Sequence, residues 1–196
     1  LAGFGAGVAS ALMHFAFAQP LLLLGEMYET GALVHPAAEI PEVSVWGEWQ
    51  RNGLTAVFTV LIYAGYALLL SAIAALAVRR GYQLAARTGL MWGLAGFVAI
   101  QLAPAVGMPP ELPGASAALI DDRQVWWFGT IAVTATGLWL LAFGRSSVMI
   151  SGAIVLMLVP HLIGAPEPDA YFGSAPPELA SHFAARVLAI GMASWA

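Results

Sequence analysis

Long apolar runs broken by short polar segments set the plan of this 196-residue chain. They fall at about 1–24, 54–78, 88–106, 124–143, 147–162 and 178–196, and several reach the roughly 20 residues that a helix needs to cross a bilayer. The pattern predicts an all-α integral membrane protein, a bundle of about six transmembrane helices in a single membrane domain. In the first run Gly3, Gly5, Gly7 and Ala11 make one side small, as expected where helices pack closely in lipid. Glu26 and Glu29 follow, and they share a face if that helix continues. The fifth run ends at Pro160 and His161. Proline removes a backbone donor and frees a carbonyl one turn earlier, so an irregular helix end is expected there.

Charge placement gives the runs a direction. The links at 79–87 and 144–146 hold Arg79, Arg80, Arg87 and Arg145, and lysine is absent. The loops at 25–53, 107–123 and 163–177 hold nearly all the acidic groups. Cytoplasmic loops are enriched in arginine and lysine, so the short links are assigned to the cytoplasm and the acidic loops to the outside. That orientation corresponds to a bacterial inner (cytoplasmic) membrane. Trp46, Trp49, Trp126 and Trp127 then form an outer aromatic belt, with Trp92 and Trp139 toward the inner one. The three pairs of spans are similar in layout, without a convincing internal repeat.

Composition agrees with a lipid environment: 60% of residues are hydrophobic and 9% are charged, against about a quarter charged in soluble domains. The chain has no cysteine, which excludes disulfides, thiolate zinc sites and iron–sulfur clusters. A net charge of -4 without a basic cluster points to no nucleic-acid partner. Leu1 and Ala196 lie inside apolar runs, so further residues are expected beyond both.

The candidate chemistry is imidazole and carboxylate. Under this topology His161 and His182 lie near the outer surface, His35 in the first outer loop and His14 near mid-membrane. Glu26, Glu29, Glu111, Glu167, Asp169 and Glu178 also gather outside. Such groups at helix ends suit a divalent cation. The simpler roles differ by residue. His161 would hydrogen-bond the carbonyl that Pro160 frees, His182 would pair locally with Glu178, and His35 would be solvated. His14, Gln19 and Gln101 are costly facing lipid, so they are expected to point into the bundle, either as packing hydrogen bonds or along a permeation path. Arg186, two turns into the sixth span, needs a carboxylate or carbonyl partner.

Enzyme readings find no support. There is no Ser–His–Asp order, nucleophile elbow, HExxH motif or phosphate loop. The histidines cluster toward one surface, which disfavours a bis-histidine haem.

Several motifs run through most of the chain in a fixed order. They are Gln19-Pro20-Leu21 with Glu26 and Tyr28-Glu29, the run from Gln101 to Gly114, Arg123-Gln124-Val125-Trp126-Trp127, and Pro160 to Pro166. This set resembles the CbtA family of probable cobalt transporter subunits. The resemblance implies five or six spans, a role in cobalt uptake linked to cobalamin synthesis, and a small single-span partner, CbtB, with a histidine-bearing tail. It also implies Co²⁺ as the transported ion, with no permanently bound cofactor. Carried over residue by residue, it covers Glu26, Glu29, Gln101, Glu111, Arg123 and His161, whereas His14, His35 and His182 rest on topology alone. The expected metal-binding set is therefore His161, Glu26, Glu29, His182, His14 and Glu111, which capture the ion outside and pass it inward near His14. Nitrogen and oxygen ligands without thiolate suit Co²⁺ or Ni²⁺. The alternative is a non-transporting structural subunit of a larger membrane complex, supported by the glycine- and alanine-rich helices and by the lack of a charged path through the inner half.

Overall fold

The computed structural model describes residues 1–34 and 40–196; His35 and Glu39, assigned above to the first outer loop, lie outside the described residues. The described chain forms six continuous helices: α1 (Ala2–Glu29), α2 (Trp49–Arg79), α3 (Ala86–Gly107), α4 (Ile120–Phe143), α5 (Ser147–Ile163) and α6 (Pro177–Trp195). No strand occurs among the described residues, although Ala115 and Gly173 make an isolated antiparallel bridge. The first four helices are long and apolar enough to span a membrane, whereas α5 is a shorter apolar helix of 17 residues and α6 has 19.

Helix ends differ from the apolar runs where local chemistry extends the helix. Nothing between Leu24 and Glu29 breaks α1, so it carries both glutamates before ending at Thr30, whose hydroxyl donates to the Glu26 carbonyl at 2.9 Å. Helix α2 begins at Trp49, ahead of its apolar run, and so includes Arg51. Ser146 caps α5 by accepting from the Met149 amide at 3.2 Å. Pro160 does not end α5, which runs to Ile163 and stops at Gly164 in a left-handed conformation (φ 90).

Two helices are interrupted by π-turns, at His14–Ala18 in α1 and Val98–Leu102 in α3. Each is followed closely by a proline, Pro20 or Pro104. A proline inside a regular helix lacks one N–H and clashes with a carbonyl of the preceding turn. The widened turn already disrupts that ladder, so the proline is tolerated.

The chain clusters into two compact units. The first comprises Leu1–Gly93, Glu111–Ala115 and Gly173–Ala196. Here α1 packs on α2 through its small residues: a Cβ on Gly7 would lie 2.6 Å from Val60 Cα, and one on Gly3 would lie 2.8 Å from the Tyr63 carbonyl oxygen. Gly3, Gly7, Ser10 and Ala11 are buried, while Gly5, two residues out of phase, faces open space. Ala18, Leu112 and Phe183 form the buried core, with Leu22, Leu179 and Val187 around it.

The second unit comprises Leu94–Pro110 and Ser116–Phe172. In it α4 packs along α5, where Gly137 accommodates Met157. At the end of α3, a Cβ on Gly107 would lie 2.7 Å from Ala165 Cβ and 2.9 Å from the Trp126 ring. Thr130 and Thr134 of α4 are completely enclosed.

Candidate functional site

Several polar residues inside the first unit are paired, although Arg51 Nε, Asn52 Oδ1 and Trp195 Nε1 are buried there without a hydrogen-bond partner. His14 opens the π-turn of α1 and its Nε2 donates to Gln19 Oε1 at 2.9 Å. Gln19 is buried, and this bond satisfies the amide oxygen within the helix that carries it. Arg186 of α6 donates to the Phe17 carbonyl at 3.4 Å and lies over the Phe17 ring at 5.7 Å. That carbonyl belongs to the π-turn, where the ordinary ladder is disrupted, so the arginine finds the carbonyl partner expected of it.

Glu26 meets Arg51 of α2 through both carboxylate oxygens, at 3.0 and 3.2 Å. Glu48 lies 3.9 Å from the same guanidinium. Leu112 packs on Gly25, and Gly114 approaches the side chain of Glu29, so residues 111–115 lie over the end of α1 that bears the two glutamates. Glu29 and Glu111 are exposed there. His182 and Glu178 on α6 are exposed too, and no ion pair joins them among the described residues.

The second unit holds His161, and its setting is different. Pro160 has no N–H, but its carbonyl accepts twice, from the Gly164 amide at 3.1 Å and from Trp126 Nε1 at 3.2 Å. His161 meets the Trp126 ring edge-on with centroids 6.1 Å apart. Its Nδ1 is buried without a hydrogen-bond partner, so this nitrogen does not bond a carbonyl freed by the proline. Gln101 Oε1, in the π-turn of α3, and Thr134 Oγ1, on α4, are likewise buried and unpartnered. Further along the chain, Tyr171 donates to Glu167, and that carboxylate holds the phenol above its ordinary value of 10.0.

The two glutamines near the π-turns share a short spacing. Gln19 and Gln101 are each followed six residues on by a glycine, Gly25 or Gly107, and ten residues on by a glutamate, Glu29 or Glu111. Five residues before them the chain differs. His14 precedes Gln19 at that distance and Gly96 precedes Gln101, so Gln101 has no imidazole within its own helix.

Glu26, Glu29, Glu111, His14 and His182 belong to the first unit and His161 to the second. Among the described residues no three histidine, aspartate or glutamate side chains gather as a metal ion would require. Sequence reasoning overlooked Arg51, which fell in an assumed loop, and Thr134, which gives no signal in an apolar helix. Trp126, expected in the outer belt, also donates its indole N–H to the Pro160 carbonyl, which the sequence gives no sign of.

The family described as probable cobalt transporter subunit (CbtA) matches residues 1–196, the whole chain. The chain belongs to the CbtA family. No curated protein and no solved structure matches it. Membership makes it a subunit of a probable cobalt transporter, and its apolar helices accord with a membrane location.

Proposed function

We propose that this chain is the membrane-embedded subunit of a divalent-metal uptake system, that cobalt is its cargo, and that His161 receives the ion at the outer end of α5. The observation that carries this reading is the buried, unpartnered Nδ1 of His161. A neutral imidazole nitrogen that no protein donor uses is a ligand at little cost, whereas an imidazole kept for packing would be expected to find a partner. Glu26, Glu29 and Glu111 supply carboxylates that concentrate the cation, with His182 and His14 as further nitrogen donors. Glu26 must first be released from Arg51.

The arginine-bearing links face the cytoplasm and the acidic loops face outward, in a bacterial inner membrane. The chain holds no phosphate loop, so energy comes from a partner or an ion gradient, and a small single-span CbtB-like subunit is the proposed companion. Radioactive cobalt uptake in cells, with and without that companion, tests the reading. Saturable uptake that competes with Ni²⁺ and falls in His161→Ala supports it. Unchanged uptake in an inserted His161→Ala, Glu26→Ala double variant would refute it, and no uptake from correctly inserted wild-type protein would favour a non-transporting structural subunit.

A further inference from the structure

We infer that Gln101, Thr134 and His161 form a transit station for a partly dehydrated divalent cation within the second unit; this rests on the reading of His161 given above. Three helices each contribute one polar atom that is buried and without a hydrogen-bond partner: Oε1 of Gln101 from α3, Oγ1 of Thr134 from α4 and Nδ1 of His161 from α5. Buried polar groups are nearly always bonded, and most of all within a hydrocarbon layer, so orphaned atoms on neighbouring helices ask for a ligand. Thr134 makes the contrast sharp. Thr130, one turn earlier, donates to the Trp126 carbonyl at 2.8 Å, the ordinary resort of a helical threonine, whereas Thr134 is 1% exposed and does not.

Depth along the helices agrees. Gly107 packs against Trp126, Gln101 lies about 9 Å down α3 from Gly107, and Thr134 lies about 12 Å down α4 from Trp126, at 1.5 Å per residue. These two oxygens therefore sit at similar depth on helices that pack together, with His161 one level nearer Trp126. The π-turn around Gln101 is itself a deformation common at functional sites, and Gly96 leaves that amide open where His14 closes the amide of Gln19.

One imidazole nitrogen and two neutral oxygens suit Co²⁺ or Ni²⁺ better than a hard cation. With no carboxylate among them, the set holds the ion loosely, as a conducting site must if the ion is to leave.

The test is a cobalt titration of the purified full chain in lipid nanodiscs, followed by calorimetry and by the d–d absorption of the bound ion. Gln101→Leu and Thr134→Val should each weaken binding by about tenfold or more and shift the absorption, while Gln101→Glu should tighten it. Thr134→Val should also melt no lower than wild type, which separates lost ligation from lost folding. If His161→Ala abolishes binding but Gln101→Leu and Thr134→Val leave affinity and spectrum unchanged, the mouth at His161 stands and the station is overturned. If none of the three matters while Glu26→Gln does, both are overturned. Wild-type protein that binds no cobalt would also overturn the station.

Discussion

Arg186 and Phe17 hold each other across two helices: the guanidinium donates to the Phe17 carbonyl at 3.4 Å and lies 5.7 Å from the centre of its ring. The carbonyl lies in a π-turn, where the regular ladder of backbone bonds is disrupted. Replacing Arg186 with leucine removes a charge-assisted bond, with an expected loss of about 1–3 kcal/mol. Thermal unfolding in nanodiscs should show a lower melting temperature, and an unchanged one would show that the contact is incidental.

His14 and Gln19 form the second internal lock. Gln19 is 2% exposed, so His14→Ala leaves a buried amide oxygen unpaired, at a cost of about 1–3 kcal/mol. Gln19→Leu in that background should recover part of the loss, because both partners are then absent. A double-mutant cycle measures the coupling directly; additive effects would mean that the bond contributes nothing.

The pairing of Glu26 with Arg51 makes a prediction about transport. Both side chains are 35% exposed, and at that exposure an ion pair is worth roughly 0.2–1 kcal/mol, little enough for an arriving cation to displace. Arg51→Ala frees the carboxylate and should lower the half-saturating cobalt concentration with little change in melting temperature. If the concentration stays the same, Glu26 is a structural partner and takes no part in capture.

Packing between α1 and α2 depends on which glycine is altered. A methyl group on Gly7 would press on the Val60 backbone, so Gly7→Ala should destabilise by about 1–3 kcal/mol. Gly5 has nothing within 4 Å, and Gly5→Ala should be neutral or stabilise by about 0.5–1 kcal/mol through helix propensity. Equal melting temperatures for the two variants would contradict this packing.

Much of the helical plan was legible because helices long and apolar enough to cross a membrane announce themselves by run length. The small face of α1 was visible too, apart from the phase error at Gly5. Helix ends were harder to place. Apolar runs stop where polarity begins, but helices stop where backbone bonding does, so Arg51 precedes the second apolar run and still lies on α2 facing Glu26. The π-turns have no composition signal, and without them neither the bond from Arg186 to the Phe17 carbonyl nor the unlike surroundings of Gln19 and Gln101 can be foreseen. Family membership was legible because its motifs span the chain in order. Thr134 was illegible for the opposite reason: threonine is common in apolar helices, and only the direction of its hydroxyl sets this one apart.

The π-turn in α1 holds one residue more than an α-turn, and the widened turn absorbs it. Deleting Ala16 would restore an uninterrupted α-helix and leave Ala2–Met13 and Gln19–Glu29 in their present phase, with Gly3 and Gly7 on α2 and Glu26 toward Arg51. If the same residues were wound as a plain α-helix, Gln19–Glu29 would turn by about 100°, and Glu26 would swing away from Arg51. The wide turn thus keeps the glycine seam at one end of the helix in step with the carboxylate at the other.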